Sequence, residues 1–151
     1  MKKFFLLGLY CLFSSSLFAA DGVITVKSKF KVAHTVDRLK AIITKKDMTV
    51  FSSVDHAKNA KKANIDLPAT ELIIFGDPKT GAPLMLCARS MALDLPQKML
   101  VWKDRSGQVW LSYNDPVYLA DRHKLEEHCR KSLKKIAEAL AGFAKVAGGM
   151  Q

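Results

Sequence analysis

Acidic residues are scarce in this chain: 14 Asp and Glu stand against 24 Lys and Arg, a formal charge of +10 over 151 residues. Cysteine is scarcer still, with three, and none forms the Cys-x-x-Cys spacing of a reactive redox pair. His-x-x-x-His and closely paired cysteines are missing as well, so no zinc ligand set can be read and no metal is expected. No Gly-x-Ser-x-Gly elbow, phosphate-cradling glycine loop or dinucleotide fingerprint occurs, which removes the common hydrolase and nucleotide-binding signatures. Aromatic residues make up only 9% and do not interleave with the lysine runs, so there is no base-stacking platform for nucleic acid. Past the first two dozen residues, no apolar run approaches the roughly 20 residues that a membrane-spanning helix needs.

What is present begins with an address. Met1-Lys2-Lys3 is a cationic start, Phe4 to Phe13 is an almost unbroken apolar run, and Ser14 to Ala20 supplies small residues before Asp21. That is the layout of a cleavable signal peptide. Residues 1–19 are expected to be removed, with cleavage after Ala19 or Ala20, leaving a periplasmic or secreted protein with no integral membrane span. Residues 20–151 are enough for one core and short for two, so a single domain is expected. Lys2 and Lys3 leave with the signal, yet the balance stays strongly basic. A solvated basic surface, or one drawn to an anionic membrane face, accounts for it, and nucleic acid is a poor partner for an exported protein. Cys11 is also lost. Cys87 and Cys129 remain in an oxidising compartment, either joined in one disulfide or serving as two buried thiols.

Ile24, Val26, Ser28 and Phe30 alternate with polar residues, the period of a half-buried strand. Val32, Val36, Leu39 and Ile43 then step by four, three and four, which predicts a helix with one apolar stripe. Met48 to Val54 is β-rich, Asp55 is placed to cap a short helix from His56, and Glu71 to Phe75 reads as a strand stopped by Gly76-Asp77-Pro78. Leu84, Cys87, Ala88 and Met91 fall on one helical face, with Pro83 acceptable only in a first turn. Met99 to Trp102 and Val109 to Tyr113 form a hairpin around Asp104-Arg105-Ser106-Gly107. Asp115-Pro116 opens one long helix, about 116–147, whose stripe runs Leu125, Cys129, Leu133, Ile136, Leu140, Phe143 and Ala147 to Gly148-Gly149. These elements predict an α+β fold of two layers, a mostly antiparallel sheet of about five strands with helices on one face.

Five short pieces occur in order: Val54-Asp55-His56, Phe75-Gly76-Asp77-Pro78, Leu93-Asp94-Leu95-Pro96, Tyr113-Asn114-Asp115-Pro116 and Arg122-His123. As an ordered set they resemble the family called domain of unknown function 302, over about residues 25 to 125. The resemblance implies a compact strand-helix-four-strand-helix fold that often associates as dimers or larger assemblies, and it implies no known reaction. The chain departs from the family pattern at Lys46-Asp47, where a glycine commonly ends the first helix, and at Asp77, where asparagine is frequent.

At the matched positions, His56 and His123 carry the most chemistry, since imidazole exchanges a proton near neutral pH. Asp55, Asp94, Tyr113 and Arg122 could complete a polar pocket in which a carboxylate fixes a histidine tautomer and a guanidinium holds an anion. Against this, Asp55 and Asp94 can serve simply as helix caps or turn formers. His123 and His128, five apart, would point about 140° from each other on one helix. The reading preferred is a binding or accessory domain that self-associates and holds a small anionic ligand. An acid-base enzyme using His56 and His123, and a structural protein associating through its terminal helix, are the alternatives. The residues name no cofactor.

Overall fold

A computed structural model describes residues 22–150; the expected signal peptide lies outside these described residues. Five strands, β1 (Val23–Ser28), β2 (Thr49–Asp55), β3 (Thr70–Gly76), β4 (Gln97–Lys103) and β5 (Val109–Asn114), form one sheet in the order β1-β5-β4-β3-β2. Every neighbouring pair is antiparallel. The chain is the α+β protein that its alternating periods predict.

Register divides the sheet into two unlike faces, because residues directly opposite one another point the same way. Ile73, Met99 and Tyr113 align across β3, β4 and β5, as do Val101 and Leu111, and all five are buried. Over this face lie α1 (Val32–Lys45) and α5 (Glu127–Ala147). The apolar stripe of α1 is buried at Val32, Val36, Leu39 and Ile43, and that of α5 from Cys129 through Ala147. The opposite face carries Leu72, Leu100, Trp102 and Trp110 in register, with the two indoles stacked at 6.3 Å.

The first helix ends without glycine. Asp47 takes the left-handed conformation, φ 57°, and the Met48 N–H reaches back to Ile43 O at 3.2 Å, closing the six-residue loop that usually follows a helix. Aspartate adopts this conformation more readily than most residues, so the departure at Lys46-Asp47 alters only the means of stopping. The hairpin turn forms as its sequence predicts, with Gly107 at φ 90°. Asp104 Oδ1 accepts from the Ser106 and Gln108 N–H groups there.

Two helical assignments are corrected. The single helix expected over about 116–147 is two, α4 (Pro116–Arg122) and α5, separated at His123–Glu126. Lys124 adopts φ 51° and Leu125 N donates to Ala120 O, so a left-handed residue ends α4 while Leu125 still buries its side chain. The apolar stepping runs through this break because Leu125 packs without being helical. The second correction concerns α3, which spans Pro78–Cys87 and so contains Pro83 beyond its first turn. Asp77 starts it by accepting from the Lys79 N–H, with Pro78 in the position that proline tolerates best. Ala88 is extended, and Met91 belongs to a 3-10 turn at Arg89–Leu93. The short α2 (His56–Lys62) is capped by Asp55, as expected, through the Lys58 N–H at 2.8 Å.

Cys87 and Cys129 are joined in a disulfide, which ties the end of α3 to the first turn of α5. At the other end of α5, the Arg38 guanidinium donates to the carbonyls of Val146 and Ala147 at 2.7 and 3.2 Å, where the helix dipole favours a cation. The terminal stripe is thus used inside its own chain: Leu140, Phe143 and Ala147 are buried in the core.

Candidate functional site

Antiparallel order decides which of the candidate residues meet. Asp94 precedes β4 and Arg122-His123 ends α4, which follows β5; both approach the end of the sheet where Gln97 pairs with Phe75. Asp55 pairs instead with Glu71, level with Val101, at the opposite end and on the edge strand. The expected pocket therefore divides. Asp94, Arg122 and His123 come together, whereas Asp55 and His56 lie exposed at the far end, Asp55 serving as a helix cap. Tyr113 is buried on the core face between Met99 and Ile24. Burial, with some help from the nearby Asp115 carboxylate, pushes its phenol above the usual value.

The cluster that forms is a relay. His123 Nε2 lies 2.6 Å from Asp94 Oδ2 and Nδ1 lies 2.8 Å from Ser90 Oγ. An ionised Asp94 accepts from Nε2–H, which leaves Nδ1 to accept from the Ser90 hydroxyl. The imidazole is buried, but Ser90 is exposed. Arg122, half exposed, stands 3.4 Å from Oδ2 of Asp94, a largely buried side chain, and water around the guanidinium weakens the pair. Lys98 donates to the carbonyls of Asp94 and Pro96; burial lowers its pKa, and the Asp94 charge partly offsets that. With both ring nitrogens occupied and a carboxylate beside the guanidinium, the cluster offers an incoming anion only Arg122. Ser90 carries no motif that would have marked it in the sequence.

A second feature lies on the other side of Leu95-Pro96. A groove of about 790 Å³ runs between α3, the β4 end of the sheet and α5. Leu84, Met85 and Leu95 form one wall, and Ile136, Leu140 and Phe143 the other. Lys79 on the α3 side and Lys131 and Lys135 on the α5 side line it from exposed positions. Asp77, also lining it, is occupied in capping, its oxygens accepting from Lys79 N and Thr80 Oγ1, each at 3.0 Å. Gln97, on the core face beside Phe75, is only 8% exposed and lines the groove. Its amide has no hydrogen-bond partner among the described residues, and every fully enclosed side-chain polar atom does have one, so this amide faces the open space of the groove. The alternation Gln97-Met99-Val101 in the sequence carried the signal: a polar residue in step with two core residues.

His56 and His123, set at opposite ends of the sheet, cannot share an ion. Among the described residues, Cys87, His128 and Cys129 bring their ligand atoms within 4.8 Å of one another, but both sulfurs are joined in the disulfide.

Comparison with known proteins adds three findings. The chain is 44% identical over 129 residues to proteins named fluoride-specific ion channel FluC 1 from Brucella suis and Brucella abortus. These matches cover 85% of this chain and 51% and 48% of the relatives, so the chain spans about half the length of the curated relatives it matches. The crystal structure of an uncharacterized conserved protein from Bacillus stearothermophilus superposes with a TM-score of 0.76 at 16% identity, covering 85% of this chain and 99% of that one; the fold is the same. A family model, described as domain of unknown function DUF302, matches residues 24–143, most of the described chain, and the solved structure carries the same family name. The chain belongs to the DUF302 family.

Proposed function

We propose that this protein is an exported binding or accessory domain that holds a small anionic molecule in the groove between α3 and α5. The observation that carries the reading is Gln97, a buried amide whose donors and acceptors are met by no described residue and open into an apolar groove. Buried polar groups are ordinarily paired, and a concave apolar site with a few convergent polar groups is the usual form of a ligand pocket. Lysines on both walls fit an anion. The cationic and apolar start of the chain supports export, as does a disulfide, which persists in oxidising compartments. Ligand capture moves from the histidines to the groove because His123 has no free nitrogen and His56 stands alone.

Native mass spectrometry of freshly exported protein tests this directly. Extra mass is expected on the folded species, lost on denaturation and missing in Ala139→Trp, which fills the groove from an exposed position on α5. Bare mass in the unaltered protein, together with no thermal shift on adding candidate anions, would sink the proposal. Fluoride is included among those anions because the Brucella relatives carry that ion in their names. Among the described residues no helix is long and apolar enough to cross a membrane.

A second reading rests on the relay. Ser90, His123 and Asp94 stand in the order nucleophile, base and orienting carboxylate that acyl transfer uses. An activated-ester substrate and a fluorophosphonate label test it: turnover or labelling lost in Ser90→Ala favours chemistry, and equal background in both proteins removes it.

Self-association has a candidate surface besides the terminal helix. Leu72, Leu100 and Trp102, half-buried on the sheet face away from α1 and α5, suit a second copy. Sedimentation of Leu100→Lys should show a smaller species than the unaltered protein.

A further inference from the structure

The groove's chemistry narrows the ligand beyond charge. We infer that the occupant is a single-chain amphiphile with an acidic head, of the long-chain carboxylate class, its chain between α3 and α5 and its head among Lys79, Lys131 and Lys135. This rests on the binding reading above and deepens it.

Five observations lead there. Apolar side chains dominate the lining, and Phe51, half exposed, joins Pro83 and Met85 in offering the groove apolar surface that no described residue covers, so most of the ligand must be apolar. A volume of about 790 Å³ lies within the roughly 300–1,000 Å³ typical of small-molecule sites, ample for one acyl chain. The cations are confined to exposed lining positions and come from both walls. Lys131 and Lys135 are one helical turn apart and so share a face of α5, and Lys79 comes from α3. The one carboxylate lining the groove, Asp77, is already committed to the start of α3 and repels a head group less than a free one would. Finally, the unpartnered Gln97 amide offers one hydrogen bond within the apolar interior, enough to favour a chain bearing an oxygen near that point.

The two walls are also fixed relative to each other, since Cys87 ends α3 and Cys129 lies in the first turn of α5, and the two are bonded. A site held open in this way loses less entropy on binding than one that must be assembled.

Titration calorimetry of the delipidated full mature protein with dodecanoate, dodecan-1-ol and dodecyltrimethylammonium distinguishes the possibilities. Dodecanoate is expected to bind one to one and at least tenfold more tightly than the alcohol, with the cation weakest. Shortening the acid by two methylenes should weaken binding by roughly ten- to fifteenfold if both are buried. Lys131→Glu with Lys135→Glu should abolish the preference for the acid while keeping alcohol binding, and Ala139→Trp should abolish both. Unchanged thermal unfolding of these variants shows that they fold. Equal affinity for acid and alcohol, with Ala139→Trp blocking both, overturns the head-group inference and leaves the binding reading standing. No binding of any probe overturns both. Dimer dissociation in Ala139→Trp without dodecanoate uptake by the unaltered protein means that a second copy occupies the groove, and overturns the inference as well.

Discussion

His123 is a buried ring with both nitrogens engaged. Asp94→Ala takes away the acceptor for Nε2–H and strands a buried donor, a cost of about 1–3 kcal/mol. Ser90→Ala, at an exposed position where water can replace the hydroxyl, should cost well under half of that. Urea denaturation at neutral pH measures both, and equal small losses would mean that the relay contributes nothing to stability. Tyr113 makes the corresponding alkaline prediction. Its folded pKa lies above the unfolded value of 10.0, so the stability it contributes is fully present below that pH and is lost as pH rises past 10 through the folded pKa. Tyr113→Phe should therefore lose less stability than the unaltered protein between neutral pH and the alkaline limit, as followed by circular dichroism.

At the scale of elements, the disulfide has a calculable role. It joins residues 42 apart in sequence, and closing a loop of that size removes unfolded-chain entropy corresponding to about 4 kcal/mol. Reduction, or paired replacement of Cys87 and Cys129 by alanine, should lower thermal stability by that order, and a drop below about 1 kcal/mol would mean that α3 and α5 hold together without it. Strands, α1, α2 and the hairpin could be read from the sequence because each rests on local period or local turn chemistry: Val32 to Ile43 for the helix, Asp104 to Gly107 for the turn. What could not be read depended on distant partners. The stepping of Leu125 into Cys129 looks helical, and the left-handed turn at Lys124 that interrupts it carries no glycine or asparagine to mark it. Likewise Asp55-His56 and Arg122-His123 look equivalent as motif pieces until the order β1-β5-β4-β3-β2 sends them to opposite ends. Gln97 was legible in principle from its alternation with Met99 and Val101, but its significance needs the groove.

For the molecule as a whole, the placement of α5 changes what truncation should do. Were its second half an interaction surface, removing residues 134–151 would dissociate an assembly and leave a folded monomer. Because Leu140, Phe143, Ala144 and Ala147 are core residues, the same truncation should abolish cooperative unfolding. A folded monomer in sedimentation and circular dichroism would contradict this. The excess of Lys and Arg over Asp and Glu among the described residues lies largely at exposed positions, and its effect should be felt in salt-dependent adhesion to acidic membranes rather than in the fold.

The sheet order has one more consequence, in time rather than space. Among the described residues β1 is the earliest strand in the sequence, yet its one partner there is β5, and Val23 pairs with Asn114. A chain delivered N-terminus first must wait for most of its length before that edge can close, and longer still for α5 to cover the apolar face. β2, β3 and β4 can assemble in sequence beforehand. Until then β1 lacks its ladder partner, and an unpaired strand is open to chaperones and to proteases. Cys129 follows all five strands in the sequence, so its bond to Cys87 can close only once every strand of the sheet has been delivered.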